Sequence, residues 1–151
     1  MTGAGLAVRP YARRDFDACL ALFDGNVPAF FAPGERAEFA AFLSSEPLTG
    51  YLVLERRGAA VAAGGVSLGA DGWVTLDWGM VARPLQGQGL GRELLEARLA
   101  LARAMPGACG LRLETSQKTR GFYEAFGFRA GAVVPEGFGP GLDAVAMALR
   151  F

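Results

Sequence analysis

Three glycines stand at alternate positions in the run Gln86-Gly87-Gln88-Gly89-Leu90-Gly91, where a β-rich segment gives way to a helical one. Glycine lets the backbone approach a ligand closely, because it has no side chain and accepts positive φ angles. The first turn of a helix also leaves backbone N–H groups without helical partners, and its dipole favours negative charge. The run therefore predicts a turn that binds an anion such as a phosphate group.

The spacing of these glycines limits the kind of phosphate ligand. A dinucleotide fold uses Gly-x-Gly-x-x-Gly with an acidic residue about 20 positions further on. This run is instead Gly-x-Gly-x-Gly, and residues 106–108, none of them acidic, lie at that distance. The lysine of a P-loop is also missing. On spacing alone, a tight turn without a ligand is as good an interpretation as a phosphate site.

The sequence contains no histidine, which excludes an imidazole base, a Ser-His or Cys-His nucleophile and the commonest zinc sites. Acid–base chemistry must therefore use carboxylates, tyrosine, lysine or water, and we expect no metal. Cys19 lies in a predicted helix and Cys109 precedes a predicted strand. We expect both to be buried free thiols rather than a disulfide.

Charge and hydrophobicity limit the partners. Fifteen basic and fifteen acidic residues cancel without forming blocks, so the basic surface that nucleic-acid binding needs is missing. No apolar run approaches the roughly 18 residues of a membrane span, and residues 1–6 do not resemble a secretory signal. We expect residues 1–151 to form a single soluble, cytoplasmic domain that binds neither nucleic acid nor membrane.

Hydrophobic periodicity predicts the elements that position the glycine run. Strands are predicted at 6–11, 51–55, 59–68, 73–81, 111–115, around Val133 and at 142–149. Helices are predicted at 13–23, around 39–43, at 90–105 and at 120–126. The buried stripe of the third helix is predicted to be Leu90, Leu94, Ala97, Leu101 and Met105. The expected class is α/β, with a mixed central sheet of about six or seven strands, about four helices and one β-helix-β crossover.

Two motifs resemble signatures of the GNAT superfamily of acyl-CoA-dependent N-acetyltransferases. The first is Val81-Ala82-Arg83-Pro84-Leu85-Gln86-Gly87-Gln88-Gly89-Leu90-Gly91, which is similar to a strand ending in Val-x-Pro followed by Arg/Gln-x-x-Gly-x-Gly/Ala, with the proline one place later than usual. The second is Gly121-Phe122-Tyr123-Glu124-Ala125-Phe126-Gly127-Phe128, which resembles a Tyr-Glu-Lys-x-Gly-Phe helix and turn. Residues 143–147 resemble the family's last strand, and the motifs occur in the family's order.

The resemblance implies a GNAT fold whose crossover binds acetyl-CoA, with the pyrophosphate on the backbone amides of the glycine run. The residues that it assigns to acetyl-CoA are Met80, Val81, Gln86, Gly87, Gln88, Gly89, Leu90, Gly91, Arg92 and Ser116. It places a backbone N–H near Met80 or Val81, on a strand splayed by a bulge, against the thioester oxygen and the pantetheine. Ser116 stands where relatives often have an asparagine that contacts CoA.

Acyl transfer from a thioester to an amine needs an acid for the departing thiolate and a base for the amine. By resemblance, Tyr123 takes the family's general-acid position, and a phenol with a pKa of about 10 is protonated at neutral pH. The alternative is a buried tyrosine with a structural hydroxyl. Asp77, four residues before Val81 and beside Trp78, is the first candidate base, and Glu114 is the second. The alternative for either carboxylate is a solvated or ion-paired strand residue.

We therefore predict an N-acetyltransferase that transfers an acetyl group directly to a primary amine of a small-molecule or peptide acceptor. No activated nucleophile is visible, so we expect no covalent enzyme intermediate. Two alternatives are a catalytically degenerate GNAT domain that acts as an acyl-CoA-binding sensor and a dinucleotide-binding module. A homodimer is consistent with the resemblance. A group of aromatic residues forms either the acceptor pocket or the core, and the core is the commoner role at helical spacing. The group consists of Phe30, Phe31, Phe39, Phe42 and Tyr51.

Overall fold

The structure is a computed structural model that describes residues 5–151. The first four residues, on which part of the secretory-signal prediction rests, lie outside the described residues. The strands are β1 (Leu6–Pro10), β2 (Tyr51–Arg56), β3 (Ala59–Leu68), β4 (Trp73–Val81), β5 (Gly110–Thr115), β6 (Arg129–Gly139) and β7 (Leu142–Arg150). The α-helices are α1 (Phe16–Gly25), α2 (Arg36–Leu43), α3 (Leu90–Arg103) and α4 (Arg120–Glu124).

The strands form one mixed sheet with the hydrogen-bonded order β1-β2-β3-β4-β5-β7-β6. The parallel ladder joins β4 to β5 and pairs Trp73 with Gly110 and Thr75 with Arg112. Antiparallel ladders join β1 to β2, β2 to β3, β5 to β7 and β6 to β7. Parallel neighbours need a long crossover connection, and α3 supplies it here. The predicted α/β class with its β-helix-β crossover is confirmed.

The chain packs as two compact units. The first unit contains the residues up to Val66 and those from Asp77 to Leu101, and the second contains Ser67–Leu76 and Ala102–Phe151. One buried cluster of the first unit is built on α1, α2, the start of β2, the middle of β3 and the end of β4, and includes Cys19, Phe23, Phe39, Leu43, Tyr51, Val53 and Met80. A second cluster of that unit holds the start of α3 and consists of Leu6, Leu54, Val61, Ala62, Leu90 and Leu94.

The buried face of α3 differs from the predicted stripe. Leu90 and Leu94 are buried as predicted, whereas Ala97 and Leu101 are only half-buried and the helix ends before Met105. Leu95 and Arg98 lie on the buried face instead, and Arg98 is 5% exposed. The predicted stripe left out Arg98, although four positions separate this residue from Leu94 as in an apolar stripe.

The second unit is built on the β5–β7 and β6–β7 ladders, with α4 between β5 and β6. Gly110 begins β5 in a confined position, where a Cβ would lie 2.5 Å from the Trp73 ring and 2.6 Å from the Leu149 carbonyl oxygen. Both cysteines are free; Cys19 is buried and Cys109 is half-buried. Among the helices of residues 5–151, none has the length and apolar character that crossing a membrane requires.

Candidate functional site

The glycine run forms an exposed turn immediately before α3. Gly87 and Gly89 have φ angles of +82° and +87°, a region that side chains with a Cβ rarely adopt. The helix starts when the backbone N–H of Glu93 donates to the Gly89 carbonyl oxygen at 3.1 Å. A Cβ placed on Gly87, Gly89 or Gly91 would meet no atom within 4 Å. The turn therefore presents open backbone next to the first N–H groups of α3, which fits an anionic ligand.

Two side chains of the run are used by the fold itself. Leu90 is 2% exposed and packs in the core cluster beside Leu54 and Leu94, so only its backbone amide remains to face a ligand. Arg92 is exposed and forms an ion pair with Glu96, with 3.2 Å between Nε and the carboxylate oxygen. An exposed arginine on the first turn of α3 also fits a phosphate group, because a surface ion pair is weak and exchanges readily.

Asn26 fixes the start of the turn. This side chain follows α1 and is 1% exposed. Its Nδ2 donates to the carbonyl oxygens of Leu22 at 2.8 Å and Val81 at 3.0 Å, and its Oδ1 accepts a hydrogen bond from Nε2 of Gln86 at 2.8 Å. Gln86 therefore uses its side chain to connect the turn to α1 and to the end of β4. No local sequence pattern marks Asn26, because its partners Val81 and Gln86 are distant in the chain.

The strand before the turn is kinked at Trp78, which has a φ angle of +42°. This conformation is strained for a residue with a large side chain. The carbonyl oxygen of Trp78 accepts a hydrogen bond from the Tyr51 hydroxyl at 2.8 Å, and that of Asp77 accepts one from Nη2 of Arg98 at 3.1 Å. The resemblance places a bulge near Met80 and Val81, and the distortion in the structure begins two residues before Met80.

The predicted acid and bases are divided between the units. Asp77 lies half-buried on β4 in the first unit, which also contains the glycine turn. Glu114 is exposed on β5 in the second unit, and Tyr123 is half-buried on α4 in the same unit. The Tyr123 ring packs edge-to-face on Phe122, with 5.1 Å between the ring centroids. Ser116 precedes α4, where its hydroxyl accepts a hydrogen bond from the Lys118 N–H at 3.2 Å.

The aromatic group of the first unit is largely core. Phe39 is buried, and its ring centroid lies 5.6 Å from that of Phe23 and 5.1 Å from that of Trp78. Tyr51 is also buried, whereas Phe31 and Phe42 are half-buried and pack against the same cluster. The core interpretation is thus confirmed for Phe39 and Tyr51. Phe30 differs, because the residue is exposed (59%), and its ring centroid lies 5.4 Å from Cζ of Arg83.

Comparison with solved structures identifies the fold. A GNAT-family protein from Desulfovibrio desulfuricans superposes with a TM-score of 0.82 at 25% identity, covering 96% of this chain and 98% of that chain. A Salmonella typhimurium protein solved with its cofactor acetyl-CoA gives a TM-score of 0.79 at 22% identity, with coverages of 97% and 94%. The ribosomal-protein-S18-alanine N-acetyltransferase of Escherichia coli gives 0.76 at 24% identity, with coverages of 96% and 93%.

The family follows from the sequence match. The model of the acetyltransferase (GNAT) family matches residues 17–128, which is most of the chain and includes both predicted motifs. The protein belongs to the GNAT acetyltransferase family, as the motifs predicted. No curated protein matches the sequence.

Proposed function

We propose that residues 1–151 form one acetyltransferase domain that transfers an acetyl group from acetyl-CoA directly to a primary amine of a small-molecule or peptide acceptor. The observation that carries this proposal is the open turn at residues 86–91, with its two positive-φ glycines at the start of a long crossover helix in a GNAT-family chain. The acetyl-CoA of the Salmonella relative and the alanine acceptor of the Escherichia coli enzyme support it by analogy.

The turn is proposed to hold the pyrophosphate of acetyl-CoA. The backbone N–H groups from Gly87 to Gly91 would donate to the phosphate oxygens, and the dipole of α3 would favour their charge. Arg92 would add a cation on the same helical turn. Met80 and Val81 would bind the pantetheine and the thioester oxygen through backbone N–H groups, and Ser116 would contribute a hydroxyl.

The chemistry assigned to the side chains follows from the proton balance. Acetyl-CoA supplies an acetyl group activated as a thioester. The amine nitrogen bonds to the acetyl carbon as the carbon–sulfur bond breaks, so the amine loses a proton and the thiolate gains one. We propose that Asp77 accepts the proton of the amine, directly or through water. Tyr123 donates the proton that the thiolate gains. Glu114 is the less favoured base, because an exposed strand carboxylate is well solvated.

Binding is tested with a matched pair of glycine variants. Gly89→Ala places a side chain at a positive φ within the turn, and Gly58→Ala does so in a region with equally open space, at φ +79° on the β2–β3 hairpin. Both should lose about 1–2 kcal/mol of stability from backbone strain. Isothermal titration should show at least tenfold weaker acetyl-CoA binding for Gly89→Ala only. Equal affinity in the two variants would reject the turn as the binding site.

Turnover is tested by thiol release from acetyl-CoA with a panel of primary amines. We expect Tyr123→Phe to lower kcat by about 10²- to 10⁴-fold, the usual contribution of a general acid, while acetyl-CoA affinity stays within about twofold. Asp77→Asn should shift the pH dependence of the rate. Tight binding without release of thiol for any amine would support the sensor alternative. A melting-temperature increase with NAD but not with CoA would support the dinucleotide alternative.

A further inference from the structure

The kink at Trp78 is held from two sides by side-chain donors of the first unit. In a regular strand the carbonyls of consecutive residues point in opposite directions towards neighbouring strands. Here the Tyr51 hydroxyl donates to the Trp78 carbonyl oxygen at 2.8 Å, and Arg98 donates to the Asp77 carbonyl oxygen at 3.1 Å. Two adjacent carbonyls of β4 therefore accept hydrogen bonds from side chains, one on each side of the strained φ angle of Trp78.

Arg98 also connects β4 to β3. Its Nε donates to the Gly65 carbonyl oxygen at 3.1 Å, while Nη2 donates to Asp77. A guanidinium has donors directed along separate lines, so one group can reach carbonyls on two strands, which an ammonium on a flexible stem does poorly. Burial of a cation costs several kcal/mol, and an aliphatic residue would pack here without that cost. An arginine suits this position because it donates to both the Gly65 and the Asp77 carbonyl oxygens, which an aliphatic residue could not do.

Two glycines leave the space that the guanidinium occupies. A Cβ on Gly79 would lie 2.4 Å from Nη1 of Arg98, and a Cβ on Gly64 would lie 3.0 Å from its Cζ. Gly79 has no positive φ angle, so its small size rather than its backbone conformation is what the structure requires. The slot between β3 and β4 thus fits the arginine side chain closely.

We propose that Tyr51 and Arg98 are positioning residues that hold the kinked segment Asp77–Gly79 and so direct the backbone N–H groups of Met80 and Val81 towards the thioester end of acetyl-CoA. This inference rests on the proposed function, because it concerns the same cosubstrate. Neither side chain is required to touch the ligand; each acts through the strand. Burial raises the pKa of Tyr51, which keeps the phenol protonated and able to donate.

The test compares three ligands on the same protein by isothermal titration: acetyl-CoA, CoA and the phosphoadenosine diphosphate half of CoA. The last ligand carries the pyrophosphate for the glycine turn but no pantetheine arm for β4. Tyr51→Phe removes one hydroxyl and keeps the ring, and we expect it to weaken acetyl-CoA and CoA about fivefold to tenfold, as for one lost hydrogen bond. Affinity for the phosphoadenosine diphosphate should stay within twofold.

The matched control is Tyr11→Phe, which removes the hydroxyl of the neighbouring ring, 5.9 Å away between centroids, and should change no affinity. Arg98→Lys is the second variant and should show the same ligand selectivity as Tyr51→Phe; if it fails to fold, Tyr51→Phe alone decides. Equal weakening of all three ligands, or no weakening, would overturn the positioning role and leave the proposed function intact. A wild-type protein that binds none of the three would reject both.

Discussion

Replacing Asn26 with alanine removes three hydrogen bonds from a buried position. The lost bonds are those from Nδ2 to Leu22 and Val81 and that from Gln86 to Oδ1. A buried hydrogen bond contributes about 1 kcal/mol net, so we expect Asn26→Ala to lower the free energy of unfolding by about 3 kcal/mol. For a chain of this length that is a fall in melting temperature of roughly 6–12 °C.

Urea unfolding followed by circular dichroism measures this loss directly. Ser45→Ala is the control, because its hydroxyl makes one exposed hydrogen bond of 3.4 Å to Ala41 and should cost less than about 0.5 kcal/mol. Gln86→Ala removes one of the three bonds of Asn26. The double variant should show a coupling energy of about 1 kcal/mol between the two positions. The reasoning is refuted if Asn26→Ala is no more costly than Ser45→Ala, or if the two amides do not couple.

Three further predictions concern stability and binding. The Arg9 guanidinium holds the pKa of Asp15 below its usual value. The stability that ionised Asp15 contributes is complete above the unfolded pKa of about 3.9 and is lost as the pH falls through the lower pKa of the folded state. Asp15→Asn should therefore cost about 2 kcal/mol at pH 7 and give a shallower loss of stability below pH 4 than the wild type in acid unfolding. Gly91→Ala, at an open helical position, should raise stability by about 0.5–1 kcal/mol and keep acetyl-CoA affinity within threefold by titration; tenfold weaker binding would contradict the open geometry. Gly110→Ala would force a Cβ against the Leu149 carbonyl and should cost about 2–3 kcal/mol in urea unfolding; a neutral result would contradict the close packing.

Local pattern was enough to predict most of the fold. The β2–β3 hairpin and the β4–α3–β5 crossover follow from alternation and helical spacing over a few residues, whereas α4 ends at Glu124, two residues before its predicted end. β6 was predicted only around Val133, yet it extends from Arg129 to Gly139. Nearly all of its residues are exposed, so it lacks the apolar alternation that marks a strand with one buried face.

The site was predictable where it depends on glycine and not where it depends on distant contacts. The run at 86–91 has the backbone conformation that its residue types demand. The roles of Asn26 and Arg98 depend on carbonyls of Val81, Gly65 and Asp77, which only the folded chain brings to them. A sequence pattern contains no signal for such contacts, and a buried arginine contradicts the usual assignment of charge to the surface. The roles of Tyr123, Asp77, Glu114 and Ser116, the homodimer and the cytoplasmic location stay predictions.

The anchoring of Asn26 has a consequence for exchanging loops between relatives. The segment after α1 carries Phe30 and Phe31 and begins at a residue whose side chain also satisfies Val81 and Gln86. A transplanted segment that starts at residue 27 would keep the hydrogen bonds of Asn26 to Val81 and Gln86. A segment that starts at residue 26 and lacks asparagine would lose both bonds, and with them the contact that fixes the start of the glycine turn. A replacement segment in this protein should therefore start at residue 27, one residue after the first residue that follows α1.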